Sequence, residues 1–151
     1  MKIPEKYIYN KEQIKSILPH RDPFLFVDYI TEINENSITG LKLVKHDDFY
    51  FKGHFPSEPI MPGVLQIETM AQVGGVLCLN SVSDPENYLT YFAKIDKVKF
   101  KDKVVPGDII TFNLQLLHPI RRGICHMFGT GAVKDKEVIE AELMAKIEKV
   151  K

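Results

Sequence analysis

The sequence predicts an α+β fold in which an antiparallel sheet curls round one long buried helix. Two observations carry this. The stretch from about residue 62 to 80 has apolar residues on every side, which only a helix wrapped by other structure can tolerate. After it, apolar residues recur at period two over several segments, the pattern of half-buried strands.

Taken in order, "MKIPEKYIYNKEQIKSIL" opens with Asn10 followed three residues later by Gln13, the signature of a capping box. It predicts a short helix over about 10–18 that stops before Pro19. "DPFLFVDYITEI" and "SITGLKLVKH" then read as two strands. The central helix starts at Pro62 and Gly63, where a proline at the first helical position loses no hydrogen bond. It continues through Val64, Leu65, Ile67, Met70, Ala71, Val73, Val76, Leu77, Cys78 and Leu79 to about Asn80. "DIITFNLQLL" alternates Ile110, Phe112, Leu114 and Leu116 against Thr111, Asn113 and Gln115. "KEVIEAELMAKIEKV" is helical by propensity. Its period is two, however, with Ile139, Ala141, Leu143, Ala145 and Ile147 opposite Glu140, Glu142, Lys146 and Glu148, so a strand is expected. "GICHMFGTGAV" supplies its hairpin neighbour across a turn at Lys134 to Glu137.

At 151 residues, with no internal repeat or linker, a single domain over 1–151 is expected. The N-terminus lacks an apolar run fit for a signal peptide or membrane span, which points to a soluble cytoplasmic protein without a membrane role. Cys78 and Cys125 sit in apolar runs without CxxC spacing and read as buried free thiols. Twenty basic and twenty acidic side chains give a net charge of zero, which argues against nucleic acid as a partner. Locally, Lys97, Lys99, Lys101 and Lys103 recur at period two. On a strand they would form one basic stripe, either a solvated sheet edge or a landing surface for an acidic partner.

The chemistry concentrates in "GHFPSEPIMPGVLQIETMAQ", residues 53–72. Glu68 and Gln72 lie four apart, on one face of an otherwise desolvated helix. Burial should raise the carboxyl pKa and suit Glu68 to general-acid work, with Gln72 as its orienter. Gly63 stands at the helix N-terminus, where free amides meet the positive end of the dipole and can steady charge on a carbonyl oxygen. His54, in the preceding loop, is the natural base for a carbon-bound proton. Base, oxyanion donor and acid are what a β-elimination beside a carbonyl requires. Spacing alone leaves open a loop histidine and a core carboxylate pinned by hydrogen bonds. His54 and Glu58 have helical i, i+4 spacing, but Pro56 and Pro59 preclude a regular helix there, which argues against a metal site.

Four blocks, "LPHRDPFLFVD" at 18–28, the 53–72 stretch, "YFAKIDKVKFKDKVVPGD" at 91–108 and "EAELMAKI" at 140–147, resemble the 3-hydroxyacyl-[acyl-carrier-protein] dehydratases of bacterial type II fatty acid synthesis. The resemblance runs from about Leu18 to Lys146. It implies the hotdog fold, an antiparallel sheet wrapped round a central helix. It carries the catalytic histidine onto His54, the acid onto Glu68 and the carbonyl-polarising amide onto Gly63. It also implies that the histidine and glutamate of one site come from different subunits of a dimer, and that dimers assemble into hexamers. The aromatic gate of the acyl tunnel falls on Tyr91 with Phe92 beside it, and Phe55 and Gln72 belong to the tunnel surroundings. The implied substrate is a 3-hydroxyacyl chain on the phosphopantetheine arm of acyl carrier protein, dehydrated to the trans-2-enoyl thioester without metal or redox cofactor. Because that carrier is acidic, Lys97, Lys99, Arg121 and Arg122 become candidate contacts. Glu68 stands where the related dehydratase/isomerase typically has aspartate, which favours the dehydratase-only branch. "HRDPF", with His20, reads as a structural turn packing Phe24 and Phe26 inward. Glu58 departs from the pattern near the expected tunnel mouth. The competing activities for such a scaffold are a thioesterase and a non-catalytic acyl-thioester sensor.

Overall fold

The computed structural model describes residues 2–151. Helix α1 (Lys11–Lys15) is followed by strands β1 (Tyr29–Ile33) and β2 (Ser37–Leu43), a 3-10 turn (Phe49–Lys52) and helix α2 (Gly63–Leu79). Strands β3 (Tyr88–Phe100), β4 (Ile109–Leu116), β5 (Ile124–Val133) and β6 (Lys136–Lys149) complete the chain. The six strands form one sheet in the order β1-β2-β4-β5-β6-β3, every pairing antiparallel. This is the hotdog arrangement, with α2 against the inner face of the sheet.

Period proved the better guide than propensity. Strand β6 turns Ile139, Ala141, Leu143, Ala145 and Ile147 into the core, as the alternation requires, and β4 buries Ile110, Phe112 and Leu114. Helix α2 approaches the sheet so closely that a Cβ on Gly40 of β2 would lie 2.7 Å from Val73 Cγ2, a branched side chain with little freedom to yield. Among the described residues no helix is long and apolar enough to cross a membrane.

Five local expectations are corrected. The capping box forms, Asn10 accepting from Gln13 N–H and Gln13 accepting in return, yet α1 ends at a Ser16 cap short of residue 18. Pro62 is the cap before α2, so the helix starts at Gly63, one position later than a proline in its first helical position would have it. "DPFLFVD" is irregular chain, buried from Leu25 onward, and the strand begins only at Tyr29: Gln72 of α2 takes Phe24 O and Phe26 N–H, and the first bond to β2 is Asp28 N–H to Leu41 O. The β5–β6 turn is tighter than four residues: Val133 pairs with Lys136, leaving Lys134 and Asp135 at φ 49° and 66°. That left-handed pair is the geometry of a two-residue hairpin turn.

The basic stripe is the fifth correction. Lys97 sits at φ 50° within a register shift between Asp96 and Lys99, which breaks the period-two alternation, and Lys101 and Lys103 lie beyond the end of β3. The lysines also face carboxylates: Lys101 contacts Glu137 and Glu140 at 2.7 and 2.6 Å, Lys103 contacts Glu58 at 3.2 Å, and Lys97 approaches Glu142 at 3.9 Å. Lys99 stands opposite Glu140 in the ladder. The lysines are therefore largely neutralised by β6 and the loop.

Candidate active site

His54 lies in the loop between the 3-10 turn and α2. Two hydrogen bonds tie it to Ile60: Ile60 N–H donates to His54 O at 3.0 Å, and His54 Nδ1 lies 2.7 Å from Ile60 O. A carbonyl oxygen can only accept, so Nδ1 carries the hydrogen and Nε2 presents a bare lone pair. The fold thus prepares one imidazole nitrogen to receive a proton. Phe55, half-exposed, stacks on the His54 ring with centroids 4.0 Å apart, and the peptide between them is cis.

Seven residues after His54, Met61 N–H donates to Val104 O and delivers the chain to Gly63, the first residue of α2. The Gly63 amide has no acceptor among the described residues, as expected of a first-turn N–H. A Cβ there would come within 2.6 Å of Phe100 Cε1, so a side chain at this position would collide with that ring. Gly63 and Ile60 border one open groove of about 480 Å³, with Phe100, Lys101 and Lys103 on its far wall. Ile60, whose carbonyl holds the His54 ring, and Gly63 therefore border one groove.

Glu68 is elsewhere. It borders a cavity of about 30 Å³ together with His20, Ala71, Gln72, Tyr91 and Phe92. Such a volume is far below the roughly 300 Å³ at which ligand sites begin. The side chain is not sealed among apolar groups, as the helix pattern had suggested. It keeps 19% of its surface, and its Oε2 accepts from Gln72 Nε2–H at 3.0 Å. Gln72 is fully engaged: its other Nε2–H donates to Phe24 O, and its Oε1 accepts from Phe26 N–H, both at 2.9 Å. The buried amide acts as a spacer that fixes the "DPFLF" segment and one oxygen of Glu68 together. His54 is not among the residues that line the cavity beside Glu68.

Register separates the two gate candidates. Phe92 pairs with the buried Ala145 and turns toward α2, whereas Tyr91 pairs with Lys146 and so belongs to the opposite face. The Tyr91 hydroxyl donates to Glu148 at 2.8 Å, and this bond holds its proton so that its pKa is raised. Arg121 and Arg122 lie in the β4–β5 hairpin, with no carboxylate partner among the described residues. Phe26 is buried as expected, but Phe24, its ring edge-on to Phe26, is half-exposed.

Sequence reasoning passed over His20. Its Nε2 is 3.5 Å from Glu68 Oε2, and its Nδ1 is buried without a partner among the described residues. The only signal was a histidine beside an arginine and a proline, a pattern that equally marks a turn.

Residues 18–142 match the FabA-like domain family. The chain is 55% identical over 144 residues to the bifunctional enzyme LpxC/FabZ of Bacteroides thetaiotaomicron, covering 95% of this chain and 31% of that protein. It thus spans about a third of the length of that relative. It is 48% identical to the 3-hydroxyacyl-[acyl-carrier-protein] dehydratase FabZ of Syntrophobacter fumaroxidans, covering 89% of this chain and 91% of that one. Among solved structures, the dehydratase heterocomplex ApeI:P from Xenorhabdus doucetiae superposes with a TM-score of 0.74 at 17% identity, over 88% of this chain and 89% of that one, a likeness of fold.

Proposed function

The chain belongs to the FabA-like domain family, and on that footing we propose that it dehydrates 3-hydroxyacyl-acyl carrier protein to the trans-2-enoyl thioester and water. The observation that carries this reading is the Nδ1–H bond of His54 to Ile60 O, which leaves Nε2 free as a base on the loop whose Ile60 borders the Gly63 groove. His54 Nε2 takes the C2 proton, and the electron pair released forms the C2–C3 double bond. The Gly63 N–H steadies the negative charge that gathers on the thioester oxygen. Glu68 gives its proton to the 3-hydroxyl as the C3–O bond breaks, and water departs. His54 ends protonated and Glu68 ionised, and proton exchange resets both.

In this reading the Glu68 that serves one His54 belongs to a second copy of the chain. Two features support it: His54 is not among the residues lining the cavity that Glu68 borders, and β3 is an edge strand with large apolar side chains half-exposed, among them Leu89, Ile95 and Phe100. The acyl chain then runs past Phe92, the inward aromatic, with the carrier protein outside. Of the basic candidates, Arg121 and Arg122 suit an acidic carrier better than Lys97 and Lys99, which already face glutamates.

The test is the ultraviolet absorbance of the enoyl thioester, followed in the hydration direction with crotonyl thioester and in the forward direction with a 3-hydroxyacyl carrier protein. Wild type should turn over in both directions, and Glu68→Gln should not. Release of free thiol instead of water, or no turnover on the carrier-borne substrate, would overturn the proposal.

A further inference from the structure

We infer that His20 is a positioning residue for Glu68: its Nε2–H joins Gln72 in holding Glu68 Oε2, so that Oε1 bears the proton delivered to substrate. The inference rests on the dehydration reading above. Its starting point is an asymmetry in the carboxylate. Gln72 Nε2–H and His20 Nε2 both address Oε2, at 3.0 and 3.5 Å, while Oε1 has no partner among the described residues. A carboxylic acid places its hydrogen on the oxygen that is not already accepting from donors, which is Oε1.

The histidine tautomer follows from burial. His20 Nδ1 has neither solvent nor a hydrogen-bond partner among the described residues. An orphaned buried N–H is rarer than an orphaned acceptor, so the hydrogen belongs on Nε2, where it points at Glu68. The backbone that carries the ring is fixed as well. Arg21 donates to the carbonyls of Leu18, His20 and Lys15 at 2.9, 2.6 and 3.0 Å, gathering the end of α1 and the following turn round one guanidinium. His20 itself is only 16% exposed at the side chain. At 3.5 Å its contact with Glu68 is longer than a formed bond, and hydrogen bonds of this kind tighten when substrate fills the site.

Two measurements on the full chain decide the matter. Long-range proton–nitrogen NMR of histidine-labelled protein, with the His20 signals assigned by their loss in His20→Gln, should show the Nε2–H tautomer. Kinetics should then show kcat lowered about 10- to 100-fold in His20→Ala with KM within about twofold of wild type. His20→Gln, whose terminal amide offers an N–H near the place of Nε2, should recover most of the loss. An Nδ1–H tautomer, or His20→Ala with kcat within about twofold of wild type, would overturn the positioning role, as would equal losses in both variants. Should His20→Ala fail to fold, the tautomer and the glutamine variant still decide. An inactive wild type would instead bring down the dehydration reading and this role with it, an outcome distinct from an active enzyme indifferent to His20.

Discussion

Gln72 and Glu68, one turn apart on α2, share a hydrogen bond of 3.0 Å from the glutamine Nε2–H to the carboxylate Oε2, and the same glutamine clamps Phe24 O and Phe26 N–H. One buried amide therefore couples the irregular segment before β1 to the proposed acid. Gln72→Leu would leave a donor and an acceptor of that segment unpaired inside the protein and free Glu68 to rotate. Urea unfolding should show a loss of about 2–4 kcal/mol, the summed cost of two orphaned backbone groups. Turnover should fall in the same variant. An unchanged urea midpoint would show that water or a rearranged chain serves those groups as well as Gln72 does.

Tyr50 lies at the far side of the same segment, packed edge-on to Phe26, with its hydroxyl donating to Asp48 Oδ2 at 2.9 Å. Burial, and then the neighbouring Asp48 charge and hydrogen bond, push its pKa far above the ordinary tyrosine value. A folded pKa above the unfolded one means that the native state holds the proton longer. The associated stability is whole below the unfolded value of about 10 and is lost as pH rises beyond it, by about 1.4 kcal/mol per pH unit for this one group. Chemical denaturation between pH 8 and 11 should show that decline in wild type. Tyr50→Phe should decline less steeply above pH 10. Parallel curves would mean that Tyr50 ionises alike in both states.

The fold was legible because its two strongest signals are global. An all-apolar helix must be surrounded, and period two in β6 overrides the helix propensity of Glu, Ala and Leu once the strand has a core to face. Local breaks in period were not legible. The bulge at Lys97 leaves no mark in composition, yet it dissolves the apparent lysine stripe. The parity that separates Tyr91 from Phe92 is likewise set by pairing with β6. Glu68, Gln72, Gly63 and His54 stood out as polar or flexible residues at the boundary of an apolar helix. His20 did not, because its link to Glu68 spans 48 positions of chain and is visible only once the turn round Arg21 is folded.

Arg121 and Arg122 offer the contrast to the paired lysines. Neither contacts a carboxylate among the described residues, and Arg122 occupies the hairpin tip at φ 51°. If they greet an acidic carrier, reversing both charges should raise KM for a carrier-borne substrate on the order of tenfold, since each exposed pair contributes up to about 1 kcal/mol. KM for a short thioester without carrier should stay put, and added salt should narrow the difference for wild type. Equal effects on both substrates would move the role of these arginines from docking to the fold of the hairpin.

The assignment of His54 and Glu68 of one site to two copies of the chain makes the most demanding prediction. His54→Ala keeps a working Glu68, and Glu68→Gln keeps a working His54, so each variant alone should be inactive while folding normally. When the two are unfolded and refolded together, about half of the dimers pair one chain of each kind. In those, one site combines both intact residues and the other combines both defects. About a quarter of wild-type activity should therefore return, half the sites in half the dimers. Recovery requires exchange, so mass spectrometry of differently tagged chains must first show the mixed dimer. Mixed dimers without activity would place the two residues in the same chain's site, and the loop carrying His54 would then have to swing toward the cavity that Glu68 shares with His20.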